Sequence, residues 1–150
     1  MNTEGFVRLL RRMRHDYGNH FQVISGYLQL GMSQKALDYI QKINEEAGEE
    51  RLLFESLPSE AALYFYEQLL SARDLGILLR YEDLEITEWK ALQVQAQPLL
   101  AIKELMEDIV ESVDEELVYL SIYENKDGWD LCFSCEKLPE GTRLVHVHRE

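Results

Sequence analysis

The sequence predicts an α+β protein made of an N-terminal helical hairpin and a C-terminal domain of helices and strands. Three observations carry this prediction. Apolar residues recur at steps of three and four through residues 3–30, and again after a break at Gly31. Pro58 ends the helical region, and short strand-like runs alternate with helical patterns beyond it. We therefore expect one domain over residues 1–57 and another over residues 58–150.

The first helix is predicted to run from about Thr3 to Leu30. Its apolar residues fall on one side, which is the pattern of a stripe that packs against other protein. The members of this stripe are Phe6, Leu9, Leu10, Met13, Tyr17, Phe21, Ile24 and Leu28. At the break, Gly31 suits a helix C-cap and Ser33 suits the N-cap of the next helix.

The second helix follows Ser33 and also has an apolar side. That side consists of Ala36, Leu37, Ile40, Ile43 and Ala47. Two long helices joined by a short turn form an antiparallel hairpin, and such a hairpin cannot bury both apolar sides by itself. Two hairpins packed as a four-helix bundle would cover them. We therefore expect a homodimer.

The second domain is predicted to be a layer of helices on one small sheet. Helical patterns cover residues 61–73 and 99–113, and the second begins after Pro98. The pair Asp127-Gly128 is a signal for a β-hairpin. Strand patterns cover residues 77–81, 117–123, 129–134 and 143–148.

The composition argues against several classes of function. With 46% hydrophobic and 29% charged residues, the chain is globular rather than disordered. A formal net charge of −13 argues against binding to nucleic acid and to anionic membrane surfaces. The sequence has no apolar run near the roughly 20 residues of a membrane-spanning helix, and its start lacks the apolar core of a signal peptide. We expect a cytoplasmic protein that binds neither nucleic acid nor membranes.

The start of the chain is an exception to this acidic composition. Within residues 1–22, four arginines stand against two acidic residues. The arginines are Arg8, Arg11, Arg12 and Arg14. A basic patch on an acidic protein favours contact with an anionic partner, although arginines are also common on exposed helix faces.

His15 lies in this basic stretch and is the strongest candidate for chemistry. Positions seven apart share nearly the same helix face, and the positions seven before and seven after His15 are the polar residues Arg8 and Gln22. We therefore expect His15 on the surface. A neutral imidazole nitrogen is a nucleophile, and the adjacent carboxylate of Asp16 could orient the ring or accept its proton. The alternative is an ordinary surface histidine.

Two further residues near His15 support different interpretations. Gly18 costs the helix up to about 1 kcal/mol relative to alanine, so its presence favours the close approach of a partner beside His15. His20 lies next to the apolar stripe, and we predict that it packs between helices rather than taking part in chemistry.

Residues 14–31 resemble the phosphoacceptor helix of the sporulation initiation phosphotransferase B family, which is related to citrate- and fumarate-type sensor histidine kinases. The match consists of the H-D-x-x-N core and its flanks, and residues 35–40 fit the second helix of the same family. In that family the histidine is phosphorylated. The resemblance implies that His15 is the acceptor, that Asp16 is its acid–base neighbour and that Asn19 is a polar helper.

The second domain resembles a degenerate form of the ATP-binding domain of histidine kinases. Where the family has asparagines, the matching helix carries Glu104 and Asp108, and the matching loop, residues 135–141, keeps only Gly141 of the glycines. Additional carboxylates would repel a triphosphate. The resemblance therefore implies that the chain binds no ATP, has no autokinase activity and needs no cofactor. Magnesium would come from a partner receiver domain.

These residues predict a two-component histidine phosphotransferase. His15 would move a phosphoryl group between the aspartates of response-regulator receiver domains without ATP. The residues expected to contact the receiver are Arg11, Arg12, Arg14, Gly18 and Gln22. The alternative is a non-catalytic module that docks a sensor kinase or a response regulator, in which case His15 is incidental. An ATP-dependent kinase is disfavoured by the glycine-poor loop.

Two other residue pairs have the chemistry of metal ligands. Cys132 and Cys135 form a C-x-x-C, but residues three apart on a strand face opposite sides, and no second C-x-x-C accompanies them. His146 and His148 share a strand face and could bind a metal together, although a polar edge strand explains them more simply. The sequence therefore predicts no metal site.

Overall fold

The computed structural model describes residues 2–109 and 115–149. These residues divide into two compact units, Met1–Leu52 and Leu53–Glu150. Long helices form the first unit, and the second contains helices and a four-stranded mixed sheet, so the predicted α+β class is confirmed. The compact units divide within the second helix, whereas the domain boundary predicted after residue 57 stays a prediction.

The N-terminal unit consists of helix α1, Thr3–Gln29, and most of helix α2, Ser33–Ser56. The side chain of Asn2 caps α1, since its oxygen accepts the backbone N–H of Gly5 at 2.8 Å. This hydrogen bond stabilises the N-terminal end of α1.

Gly31 ends α1, as the sequence predicts. Its φ of 73° lies in the left-handed region that favours glycine. The N–H groups of Gly31 and Met32 donate to carbonyls of the last turn at 3.1 and 2.8 Å, which is a Schellman motif. Ser33 is the first residue of α2 rather than its predicted N-cap, because the carbonyl of Met32 accepts the N–H of Ala36 at 3.1 Å.

His20 packs between the two helices. Its Nδ1 lies 2.7 Å from the hydroxyl of Tyr39 on α2, as expected for a histidine that belongs to the hairpin contact. Burial, assisted by the negative charge of Glu46 and by Tyr27, raises the pKa of Tyr39. The hydroxyl therefore stays protonated, and its hydrogen bond with the ring of His20 joins α1 to α2.

Most of the stripe that the sequence predicts to be buried is exposed in the single chain. Leu9 is buried, but five other members are between 46% exposed, at Phe6, and 68% exposed, at Phe21. A pair of helices covers only the sides that face each other, so this exposure agrees with the expectation that one hairpin cannot bury both apolar sides. These five exposed residues are called the apolar face: Phe6, Leu10, Tyr17, Phe21 and Leu28.

The C-terminal unit is a single mixed sheet with helices packed against it. The helices are α3, Ser59–Asp74, α4, Trp89–Val94, and α5, Leu99–Met106. The strands are β1, Ile77–Glu85, β2, Glu116–Glu124, β3, Gly128–Ser134, and β4, Thr142–His148. They lie in the order β1-β2-β3-β4, with β1 and β2 parallel and the other neighbours antiparallel. The hydroxyl of Tyr81 on β1 donates to the carbonyl of Phe65 on α3 at 2.8 Å, which ties a helix to the sheet.

All four predicted strands are present, and β1 extends further than expected, to Glu85. The helix predicted over residues 99–113 ends at Met106. Past this point each backbone N–H donates to the carbonyl three residues earlier instead of four. The carboxylates of Glu107 and Asp108 are also unfavourable here, because they lie at the negative end of the helix dipole. Residues 110–113 of that prediction lie outside the described residues. Helix α4 is a six-residue element that the sequence pattern does not predict.

The predicted hairpin turn joins β2 to β3. The side-chain oxygen of Asn125 accepts the N–H groups of Asp127 and Gly128 at 3.0 and 2.9 Å, and the N–H of Asn125 donates to the carbonyl of Gly128 at 2.8 Å. Gly128 has φ 155°, and a Cβ built on it would lie 1.9 Å from the carbonyl oxygen of Val147. The turn therefore requires glycine for space as well as for backbone conformation.

We predict that Gly128→Ala lowers the free energy of unfolding by about 3 kcal/mol, because β4 must shift away from the added methyl group. Urea denaturation followed by circular dichroism measures the loss. Gly141→Ala is the matched control, since Gly141 also has positive φ, 77°, but an added Cβ meets nothing within 4 Å. The control should lose only the roughly 1–2 kcal/mol of a left-handed residue. Equal losses in the two variants would contradict the steric argument.

Candidate functional site

His15 lies in the first half of α1, and its side chain is 75% exposed. This agrees with the expectation that the histidine lies on the surface of the hairpin. The helix also holds Asp16, the next residue, and Asn19, one turn later, next to the ring. The structure thus brings the three predicted residues together.

Both neighbouring polar groups lie at the same nitrogen of His15. The side-chain amide nitrogen of Asn19 is 3.4 Å from Nδ1, and a carboxylate oxygen of Asp16 is 3.8 Å from that same atom. The amide nitrogen of Asn19 can donate only to an Nδ1 without a hydrogen, whereas the carboxylate of Asp16 favours a hydrogen there but lies beyond hydrogen-bond distance. In the tautomer with its hydrogen on Nδ1, the lone pair of the neutral ring is on Nε2.

Several of the predicted partner-binding residues share the helix face of His15. Because an α-helix turns by about 100° per residue, residues three, four and seven apart lie within roughly 60° of one another. We call this surface the His15 face: Arg8, Arg11, Arg12, His15, Gly18, Asn19 and Gln22. Arg14 is also exposed, but it lies about 100° from His15 because it is the preceding residue. It therefore borders the face.

The apolar face lies on the other side of α1. Leu10, Tyr17 and Phe21 are roughly 120–160° from His15 around the helix axis. A protein that covers these apolar side chains can therefore leave the ring of His15 open to a third molecule. The two exposed surfaces of α1 are suited to two different contacts.

Gly18 has no packing reason within the chain. A Cβ added to it would meet nothing within 4 Å, so the space beside it is open. An alanine would fit there and would favour the helix. Packing within the described chain therefore does not require glycine at position 18, and a partner contact beside it stays a prediction.

The loop that resembles a nucleotide loop is closed by its own hydrogen bonds. The N–H of Cys135 donates to the carbonyl of Gly141 at 2.9 Å, and the N–H of Gly141 donates to that of Leu138 at 3.0 Å. These amides are therefore engaged within the loop, whereas a phosphate site needs them to point at the ligand.

Asp108, which lies where the kinase family has asparagine, forms an ion pair with Arg143. The two residues are 35 positions apart, so no local sequence pattern predicts this contact.

The two cysteines are further candidates for metal ligands. Cys132 is half-buried and Cys135 is buried, and both are free thiols. Within residues 2–109 and 115–149, no group of three or more histidine, cysteine or acidic side chains is placed to hold a metal ion. No helix in these same ranges combines the length and apolarity needed to cross a membrane.

The N-terminal helices are similar to a known protein family. Residues 1–56 match the family described as sensor kinase SpoOB-type, alpha-helical domain. The chain is also similar to the sensor protein CitS of Halalkalibacterium halodurans, with 42% identity over 41 residues, which are 27% of this chain and 8% of CitS. The chain thus matches only a small part of the length of that relative. Residues 1–56, which are less than half of the 150 residues, are thus similar to the SpoOB-type alpha-helical domain of sensor kinases.

Proposed function

We propose that His15 accepts a phosphoryl group from the aspartyl phosphate of one receiver domain and passes it to the aspartate of another, without ATP. The observation that carries this proposal is an exposed imidazole with a carboxylate and an amide at its Nδ1. It occurs in a domain of the sensor-kinase type. Such a group is a nucleophile that an incoming protein can reach.

The transfer follows from this arrangement. Nε2 of His15 attacks the phosphorus of the acyl phosphate, a P–N bond forms, and the P–O bond to the donor aspartate breaks to release its carboxylate. In the proposed step the hydrogen of the ring is on Nδ1, where the negative charge of Asp16 stabilises it as the ring becomes cationic. In the second step the acceptor carboxylate attacks phosphorus, and the P–N bond breaks to return the electron pair to Nε2. The receivers supply the magnesium.

The arginines of the His15 face contribute electrostatically. Arg8 and Arg11 are exposed and lie within one to two turns of His15. Their positive charges favour the approach of an anionic phosphoryl group and stabilise the charge that it spreads during transfer. The rest of the chain is acidic, so this face is where a phosphorylated partner would be attracted.

The same proposal includes a homodimer. The apolar face of α1 is exposed in the single chain, and packing it against a second hairpin would remove it from water. Since His15 lies on the other side of the helix, a bundle formed in this way keeps two rings open. One receiver domain could then bind beside each copy of His15.

The C-terminal unit fits a degenerate ATP-binding domain. Its loop amides are used within the loop, and Glu104 adds an exposed carboxylate to the helix where the kinase family has asparagine. Both features weaken attraction for a triphosphate. These features support a transfer in which the phosphoryl group comes from a protein rather than from a nucleotide. We propose that the transfer takes place in the cytoplasm.

The proposal is tested with the full chain and a receiver domain that carries a radiolabelled aspartyl phosphate. We expect acid-labile, alkali-stable label to appear on this chain without ATP, and no label with γ-labelled ATP alone. Label that requires ATP would identify a kinase instead. Tight binding of the receiver without any transfer would identify a non-catalytic docking module, the second candidate function.

Gly18→Ala separates stability from partner contact. Because the added methyl group meets nothing in the chain, the free energy of unfolding should rise by up to about 1 kcal/mol. The methyl group would also obstruct a receiver that approaches His15, so the rate of phosphoryl transfer should fall several-fold. Denaturation and label-transfer rates measure the two effects.

Gly48→Ala on α2 is the matched control. Gly48 is also an exposed helical glycine with nothing within 4 Å of an added Cβ. The Gly48→Ala variant should gain a similar free energy of unfolding and should transfer the phosphoryl group at the wild-type rate. If both variants transfer at the wild-type rate, Gly18 is not part of the docking surface.

A further inference from the structure

We propose that His146 and His148 form a binding site for a divalent transition-metal ion such as Ni²⁺, Zn²⁺ or Cu²⁺. Both residues lie on β4, two positions apart, so their side chains leave the same face of the strand. Both are exposed, and their ring centroids are 4.6 Å apart with the ring planes inclined by 77°. Two imidazoles this close can direct one nitrogen each at a common ion.

Asp130 orients the first of these rings. A carboxylate oxygen of Asp130 lies 2.6 Å from Nδ1 of His146, while the amide of Asn125 donates to the other carboxylate oxygen at 3.0 Å. The carboxylate is thereby held in place and fixes the hydrogen of the ring on Nδ1. Nε2 is then the free ligand nitrogen, and a carboxylate behind a ligating histidine makes that nitrogen a better donor.

The backbone beneath the second ring is also held. The side chain of Gln95 donates to the carbonyl of His148 at 2.8 Å, and His148 is paired with Gly128 in the antiparallel ladder of β3 and β4. The two imidazoles therefore project from an ordered strand. A preorganised pair loses less freedom on binding an ion than two histidines of a flexible tail would lose.

The ligand set selects the kind of ion. Imidazole suits zinc, copper and nickel, whereas magnesium and calcium prefer oxygen ligands. With two protein ligands, the remaining coordination positions are open to water or to a donor group of another molecule. This site is on the C-terminal unit and is independent of the phosphoryl chemistry proposed for His15.

Calorimetric titration of the full chain with Ni²⁺ or Zn²⁺ alone tests the site. Relative to the wild type, we expect at least about 10-fold weaker binding in His146→Ala, in His148→Ala and in Asp130→Ala, the last because it removes the oriented carboxylate. His15→Ala, which lacks another exposed histidine, is the matched control and should bind as the wild type does. Equal affinity in the wild type and the His146→Ala/His148→Ala double variant would overturn the proposal.

A second measurement needs no variant. Substoichiometric Cu²⁺ added to the wild-type protein should first broaden the amide NMR signals of residues 144–148 and of the neighbouring residues 128–132. Broadening that begins around His15 or His20, or that is spread evenly over the chain, would contradict a site on β4.

Discussion

Replacement of His15 with alanine is expected to reduce phosphoryl transfer to less than about one thousandth of the wild-type rate, because the variant has no nucleophile at that position. Folding should be preserved, since the side chain is 75% exposed and alanine favours a helix. Incubation with a phosphorylated receiver and quantification of acid-labile label measure the effect. Circular dichroism checks that α1 is intact.

Two variants make this result specific. His148→Ala removes another exposed histidine, from the C-terminal unit, and should transfer at the wild-type rate. Asn19→Ala should retain the label on the chain but acquire it more slowly, because it removes a group that contacts Nδ1 rather than the nucleophile. Undiminished labelling of His15→Ala would show that another residue accepts the phosphoryl group.

Introducing charge on the apolar face is expected to produce a monomer. In the chain alone, Leu10 is 47% exposed and Phe21 is 68% exposed. Full burial of such a side chain contributes about 1.5–3 kcal/mol, and about half of that remains to be gained on dimerisation. Over two side chains in each of two copies, the loss in Leu10→Asp/Phe21→Asp is about 3–6 kcal/mol. The dimer dissociation constant should therefore rise at least about 100-fold.

Analytical ultracentrifugation over a range of concentrations measures this shift. Val94→Asp is the matched control, because Val94 is 87% exposed on the C-terminal unit and lies outside the proposed bundle. The control should remain a dimer. A double variant that dimerises like the wild type, or a wild-type protein that is monomeric at the highest concentrations, would refute the role assigned to the apolar face.

The sequence predicts the features that depend only on interactions between residues close together in the chain. Gly31 ends α1 with a positive φ, and Asp127-Gly128 marks the turn between β2 and β3, because both depend on backbone conformation within a few residues. The strands follow from alternation, since one face of the sheet is buried. The exposure of His15 follows from the polar residues one heptad away.

Contacts between distant residues could not be predicted in the same way. The pairing of Asp108 with Arg143 and that of Asp130 with His146 depend on the final arrangement of strands and helices. Helix α4 is too short for a periodic signal. The sequence indicates that the stripe on α1 is apolar, but whether it is covered depends on a second molecule rather than on the chain itself.

In the proposed mechanism, the imidazole of His15 takes a phosphoryl group directly from a protein. The most direct measurement is phosphosite mapping of the full chain by mass spectrometry, after incubation with a phosphorylated receiver in the absence of nucleotide and digestion at alkaline pH. We predict a single phosphohistidine in the peptide that contains His15. A phosphoryl group mapped to a different residue, or one that forms only when ATP is added, would contradict the proposed mechanism.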